Sequence, residues 1–296
     1  MFDFAIELAF VEIETTRLAA WQSLAQEVLG LATESVNDDD RATLLLRADR
    51  ARYRVVVREA DVDRFVRIVY SVGGQTELDR LTQRLEDHSI PYSRGSEWQL
   101  PTGRTSEVYV EVKDPSGNDL RFTWAVPEEC DRALPSSGIT YSDHRLGALG
   151  HVVLVVPDLA ESVTFYTEVL GFRISDYIGD GSGRLAFLRC NERHHTVAFQ
   201  AGSVPRVDHI MLEVDNVDDL GRVYDKVREL PGTALSEPGR HTNDLAISFY
   251  LKTPLEGLEI EFATGGIDVT EPWNVKWHEG GSIWGHKRPQ SGAIGS

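Results

Sequence analysis

Residues 149–172 read LGHVVLVVPDLAESVTFYTEVLGF, and residues 8–31 read LAFVEIETTRLAAWQSLAQEVLGL. The two stretches align without a gap. Leu18 falls on Leu159, an offset of 159 − 18 = 141, and Glu27-Val28-Leu29-Gly30 falls on Glu168-Val169-Leu170-Gly171. At one position they differ in kind: His151 stands where the first copy has Phe10. GHVVLVV is a short apolar run rich in β-branched residues and predicts a strand. PDLAESVTFYTEVLG opens with Pro and Asp and closes with Gly. Its apolar residues at 159, 163, 166 and 170 predict an amphipathic helix.

The correspondence continues along the chain. SEVYVEVKDPSGNDLRF (106–122) parallels AISFYLKTPLEGLEIEF (246–262), with Gly117 on Gly257 at an offset of 140. VRIVYSVGGQTELDRLTQRL (66–85) parallels DHIMLEVDNVDDLGRVYDKV (208–227), with Leu78 on Leu220 at an offset of 142. Three segments in one order at nearly one offset indicate a duplicated domain. RLAFLRC, HTVAFQ, DHIMLEV, AISFYLKT and GLEIEFA read as further strands, and 216–230 as a helix. The chain is thus expected to be α+β, four βαβββ-like units, two per domain. The seam PEECDRALPSSGITYSDHR (127–145) is rich in Pro, Ser and charge. Domains are expected at 1–126 and 148–296, with a linker over 127–147.

The totals narrow the function. With 296 residues and 41% hydrophobic content, the chain can build two modest domains, each with its own core. A formal net charge of −17 argues against nucleic acid and against an anionic membrane surface. Cys130 and Cys190 are far apart and form no CxxC pair, so two reduced thiols in a cytoplasmic protein are expected. The start MFDFAIELAF lacks the marks of an export signal, and no apolar run approaches membrane-spanning length.

Duplication supplies an internal control, because both halves must satisfy the same packing. His151 faces Phe10, His209 faces Arg67, and Glu261 faces Arg121. The C-terminal half therefore gains two histidines and a carboxylate on three separate strands. In GLEIEFA, Leu258, Ile260 and Phe262 share one face, while Glu259 and Glu261 share the other. Two His and one carboxylate form the facial set that leaves positions open on Fe(II) for substrate and O₂. Each residue alone has a plainer reading, as a hydrogen-bonded His or a solvated Glu, and Glu259 competes with Glu261. Nearby, His194 and His195 are expected to alternate across one strand, so that only one enters a pocket. His241, Asn243, Asp244 and Tyr250 form a second polar group. His88, His144, His278 and His286 lack motif support and read as surface residues.

On these residues nearly the whole chain, from LAFVEIETTRLAAW to GGSIWGH, resembles a two-domain type I extradiol ring-cleavage dioxygenase of the vicinal oxygen chelate superfamily. The likeness is nearest to the 2,3-dihydroxybiphenyl and steroid-catechol dioxygenases. Its most specific parts are GRHTNDLAISFYLKTPLEGLEIEF and CNERHHTVAF. One departure stands out: Leu255 and Glu256 both lie between Pro254 and Gly257, where the family has a single residue. Counting from the Gly selects Glu261; counting from the Pro selects Ile260, which cannot bind a metal. The insertion is expected to bulge the turn and leave the strand in register.

The resemblance implies that each domain wraps two units into an open barrel and that only the C-terminal barrel holds metal. It implies His151, His209 and Glu261 as ligands of Fe(II), with Mn(II) open as an alternative. It implies His195 as the acid–base residue, since imidazole titrates near neutral pH. His241 and Tyr250 would contact the catecholate and the oxygens that come from O₂, supported by Asn243 and Asp244. The implied reaction is extradiol cleavage of a substituted or polycyclic catechol by O₂, in aromatic-compound degradation. Met211, Phe187 and the loop before His195 would set the ring substituent. The partners expected are a catecholic substrate and O₂, with no nucleic acid and no membrane, in a homo-oligomer. A metal-dependent isomerase or epimerase of the same superfamily is one alternative, disfavoured by Phe10 and Arg121. A non-catalytic protein that sequesters an aromatic ligand is another, and it leaves His195, His241 and Tyr250 without a task.

Overall fold

The computed structural model describes residues 5–38, 41–95, 98–99, 105–106, 108–124, 138–142, 146–179 and 184–288. The N-terminal half holds β1 (Ile6–Thr15), β2 (Ala32–Asp38), β3 (Arg41–Arg47), β4 (Val55–Glu59), β5 (Arg64–Val72) and β6 (Tyr92–Gly95). A two-residue ribbon follows, β7 (Trp98–Gln99) and β8 (Thr105–Ser106), then β9 (Tyr109–Lys113) and β10 (Asp119–Thr123). The C-terminal half holds β11 (Leu149–Val156), β12 (Arg173–Ile178), β13 (Leu185–Arg189), β14 (Val197–Ala201) and β15 (Arg206–Glu213). It continues with β16 (Gly239–His241), β17 (Ile247–Lys252) and β18 (Glu259–Thr264). Two short tail strands end it, β19 (Lys276–His278) and β20 (Ser282–Trp284). The α-helices are α1 (Leu18–Ser23), α2 (Gln75–Asp87), α3 (Leu159–Thr164) and α4 (Val217–Glu229). Among the described residues no helix is long and apolar enough to cross a membrane.

The duplication is visible in the pairing. The first sheet runs β2-β3-β4-β1-β5-β10-β9-β6, and the second repeats that order as β12-β13-β14-β11-β15-β18-β17-β16. The fold is α+β, as expected, with each sheet curled into a half-barrel. Local signals explain the helices. The Asp158 side chain accepts from the Glu161 N–H at 2.9 Å and starts α3. Both α1 and α3 run on into a π-helical turn, Leu24–Leu29 and Phe165–Val169. Gly30 and Gly171 follow with φ of 71° and 78°, a conformation that costs glycine little.

The tail adds what the repeat lacks. β19 pairs with β12 at one edge of the second sheet, and β20 pairs with β16 at the other. Only residues 279–281 separate the two tail strands. Those few residues span roughly 10–14 Å when extended, so the curl must bring the opposite edges that close together. The tail thereby straps the half-barrel nearly shut.

The two halves do not keep separate cores. One apolar cluster runs through both. Tyr70 of β5 meets Phe172 edge-on at 5.7 Å, and the Tyr141 hydroxyl donates to the Leu29 carbonyl at 2.8 Å. Tyr141 belongs to the segment expected as a polar linker, yet it is buried against Phe262. Residues 127–137 and 143–145 of that segment, with Cys130 and His144, lie outside the described residues.

The inner faces of the two sheets differ. In the first, Phe10 packs edge-on against Tyr53 at 4.9 Å. Arg67 and Arg121 both donate to Glu111 at 2.6 Å, and buried Glu12 is flanked by Arg58 and Arg67 at 3.2 and 3.0 Å. Ion pairs thus fill the place of the candidate ligands. Strand register corrects one detail of the repeat. Arg121 lies opposite Glu111, whereas Glu261 lies opposite Tyr250. Before the turn the offset is therefore 250 − 111 = 139, and the extra residue is absorbed between Thr253 and Leu258. Thr253 Oγ1 reaches the Leu258 carbonyl at 2.8 Å and stitches that turn. Glu12→Ala is expected to leave Arg58 and Arg67 without their shared carboxylate, costing roughly 2 kcal/mol in urea unfolding. Its bound metal should be unaltered.

Candidate metal centre

His151, His209 and Glu261 come from three neighbouring strands, β11, β15 and β18. β11 starts at Leu149, so His151 is not its first residue. A bulge aims it instead: the pairing shifts by one between Leu149↔Leu212 and Val152↔Ile210. The first copy carries the same shift between Leu8↔Tyr70 and Phe10↔Val69. The device that turns residue 151 inward is therefore shared with Phe10, and only the side chain differs.

The donor atoms converge. His151 Nε2 lies 3.0 Å from Glu261 Oε2 and 3.4 Å from His209 Nε2, and His209 Nε2 lies 3.3 Å from Glu261 Oε2. All three residues are buried, and one ligand atom from each falls within 4.8 Å of the others. The His209 Nδ1–H donates to Asp208 at 3.1 Å, which turns its Nε2 inward. Glu259, two residues away, instead forms a two-pronged ion pair with Arg288 at 2.8 Å.

The charges fit a cation. Burial alone would raise the Glu261 pKa, but hydrogen bonds from His151, His209 and His241 outweigh it and hold the carboxyl well below its usual range. Burial would lower His209, yet Asp208 and Glu261 hold it up at about 9. His241 behaves alike, with burial outweighed by Glu261, and also reaches about 9. His151 goes the other way, pushed down chiefly by burial. A divalent ion held by His151, His209 and Glu261 would supply positive charge to the same carboxylate. A nitrogen–oxygen donor set of this kind suits Fe(II) and Mn(II).

The remaining polar residues ring a cavity of about 490 Å³. Val153, Ile178, Leu185 and Phe187 form one apolar wall, while His195, His241, Asn243, Asp244 and Tyr250 are polar neighbours of the ligands. His241 Nε2 is 2.9 Å from Glu261 Oε1 and 3.2 Å from the Tyr250 hydroxyl, and its Nδ1–H donates to the Gly281 carbonyl at 3.0 Å. Asp244 is buried and accepts from the Ala246 N–H at 3.0 Å. His195 stacks on His151 with centroids 4.1 Å apart and meets Phe187 edge-on at 5.0 Å. Burial, with the nearby His151 and His194, pushes His195 well below the usual imidazole value. Burial thus favours the neutral, proton-accepting form of the ring.

Several placements differ from the sequence reading. His194 and His195 sit in a bend between β13 and β14, not in a strand. They still diverge, ring planes at 89°, with His195 on the cavity and His194 turned to Asp176. Met211 lies on the far side of His151, against a small rear cavity of about 80 Å³, and does not line the larger one. His286, read as a surface residue, lines the main cavity and stacks on His241 at 4.2 Å. His278, also read as surface, donates to buried Asp176 at 3.1 Å. Both belong to the tail, which has no counterpart in the repeat, so repeat comparison could not single them out.

Comparison with known proteins agrees with this geometry. Residues 148–262 match the glyoxalase/bleomycin resistance protein/dioxygenase superfamily, and residues 8–59 match the first domain of dihydroxybiphenyl dioxygenase BphC. The chain is 33% identical over 294 residues to a biphenyl-2,3-diol 1,2-dioxygenase of Metapseudomonas furukawaii, covering 97% of this chain and 95% of that protein. It is 34% identical over 292 residues to an iron-dependent extradiol dioxygenase of Rhodococcus jostii (strain RHA1), covering 94% and 96%. Among solved structures, BphC, a halotolerant catechol dioxygenase, superposes with a TM-score of 0.86 at 29% identity, covering 96% of this chain and 95% of that one. On fold and likeness along its length, the chain belongs to the extradiol dioxygenases of the glyoxalase/bleomycin resistance protein/dioxygenase superfamily.

Proposed function

We propose that the chain opens a catechol ring beside one hydroxyl, with O₂ as oxidant and Fe(II) held by His151, His209 and Glu261. The observation that carries this reading is the buried convergence of those three donors beside a partly apolar cavity. When bound, the iron brings catechol oxygens and O₂ to one centre and lets electrons pass between two partners that react poorly alone. Mn(II) accepts the same donors and is the second candidate.

The residues around the centre have separable tasks. The catechol ring lies against Val153, Ile178, Leu185 and Phe187, so an apolar ring substituent is favoured over a charged one. Neutral His195 takes a proton from a substrate hydroxyl and returns it later to a developing oxyanion. His241 and Tyr250, joined at 3.2 Å, hold the substrate oxygens by hydrogen bonds. Asn243 and Asp244 support the polar side, and the tail excludes water over the mouth. Substituted catechols such as biphenyl-2,3-diol and 3-methylcatechol, substrates in the names of related enzymes, suit this cavity. The same proposal places the protein in the cytoplasm as a homo-oligomer. Buried Cys190 is a free thiol, which accords with a reducing compartment.

Oxygen uptake with these two catechols, together with a yellow ring-opened product, tests the reaction. No uptake by anaerobically iron-loaded protein sinks it. His209→Ala should lose most of about one bound iron per chain. Glu261→Gln should abolish turnover with the fold kept, whereas Glu259→Gln should retain most activity because Glu259 pairs with Arg288 and not with the histidines of the centre. The reverse order would redraw the ligand set. His195→Phe should keep iron while kcat falls on the order of 10²–10⁴-fold, the usual share of a general acid–base group. Wild-type turnover, or a matching loss of iron, would remove that role.

A further inference from the structure

Behind His195 lies a line of groups that the reaction above does not use. His195 Nδ1 is 3.2 Å from His194 Nδ1, and His194 Nε2 is 3.0 Å from Asp176 Oδ2. Asp176 is fully buried on β12, and its carboxylate also receives the His278 Nε2–H at 3.1 Å and the Lys276 N–H at 2.9 Å. Trp273 closes the edge of the His194 ring at 5.7 Å. A buried His–Asp pair is commonly structural. Here the second nitrogen of His194 ends on the side chain that faces the substrate cavity.

Donor and acceptor roles follow from the carboxylate. An ionised Asp176 only accepts, so His194 donates through Nε2–H. The Nδ1 of neutral His194 is then an acceptor, and His195 must donate to it through its own Nδ1–H. Asp244 Oδ2 is 3.9 Å from His195 Nδ1, too far to compete for that hydrogen. This order leaves His195 Nε2 bare, the state a base needs.

We propose, on the functional reading above, that His194 and Asp176 hold for His195 the proton that leaves the substrate. The catechol O–H bond breaks and its proton joins His195 Nε2, while the electron pair stays on the substrate oxygen. The His195 Nδ1–H bond breaks as a His194 Nδ1–H bond forms. His195 is then neutral again, and His194 is a cation facing the Asp176 carboxylate. The reverse transfers return the proton to the cleaved ring. Nothing is oxidised or reduced in these steps, and the proton count is unchanged. His194 and Asp176 are positioning residues, since neither touches the substrate. Charged and titratable groups around the pair include His195, His278, Lys276, whose ammonium lies over Trp273, and Arg189, held to Ser175 at 2.9 Å.

The test compares iron-loaded wild type with His194→Asn and Asp176→Asn, using biphenyl-2,3-diol. Asn at 194 can still accept from His195 but cannot store a proton, and Asn at 176 keeps the shape of the acid without its charge. Expected are unchanged iron content and anaerobic substrate affinity within about twofold, with kcat lowered roughly 10–100-fold. A solvent deuterium isotope effect on kcat should grow in both variants, because proton transfer becomes limiting. A purely orienting role leaves His194→Asn at the wild-type rate and isotope effect, which overturns the proposal. Loss of iron or of fold in step with rate assigns the pair to structure and overturns it too. If wild type cleaves no catechol, the functional reading falls first and this inference with it. If wild type cleaves and the variants match it, only the inference falls.

Discussion

A carboxylate sealed from water must be met by positive charge or by several donors, and Glu261 is met by three imidazoles within 3.3 Å. Much of the C-terminal half follows from that need. Three adjacent strands bring His151, His209 and Glu261 together, β16 adds His241, and a bulge turns His151 toward them. Asp208 fixes the ring of His209. The tail supplies the Gly281 carbonyl that holds His241 at the correct edge. Removing any one of these leaves the carboxylate short of a partner.

The N-terminal half faces the same geometry with the opposite answer. Its inner face keeps the bulge and the strand order but fills the space with Phe10, Tyr53 and arginine–glutamate pairs. Such pairs need no bound ion, and their long side chains occupy volume that the other half leaves as a cavity. Two copies of one scaffold therefore divide the labour. One packs its interior, and the other keeps its interior reactive. The continuous apolar cluster between them lets the filled copy brace the open one.

Much of this was legible in the sequence because duplication acts as a built-in comparison. Substitutions such as Phe10 to His151 and Arg121 to Glu261 stand out when packing demands are shared. The one-residue insertion after Pro254 stands out only against the family pattern; within the repeat, aligned at one offset of 140, it is hidden until the strand register shows it. Other features left no such mark. A bulge is set by pairing between distant strands, not by residues at the bulge. The tail has no twin, so His278 and His286 looked like surface residues. His194 and His195 lie in a bend, where strand alternation does not apply, and their rings come within 3.2 Å of each other. Tyr141 lies in the segment that reads as a polar linker, yet its ring is in the core.

The tail strap also bears on how the chain folds. Its contacts join residues about a hundred positions apart: Asp176 with His278 spans 102, and Trp273 with Ser175 spans 98. Contacts of such high order require a large loop to close before they return any free energy. The repeated units, whose sheet neighbours lie closer along the chain, can curl first. The strap can dock only onto two edges already brought near each other. The far wall of the cavity therefore rests on contacts that close loops of about a hundred residues, so its shape depends on parts of the chain far apart in sequence.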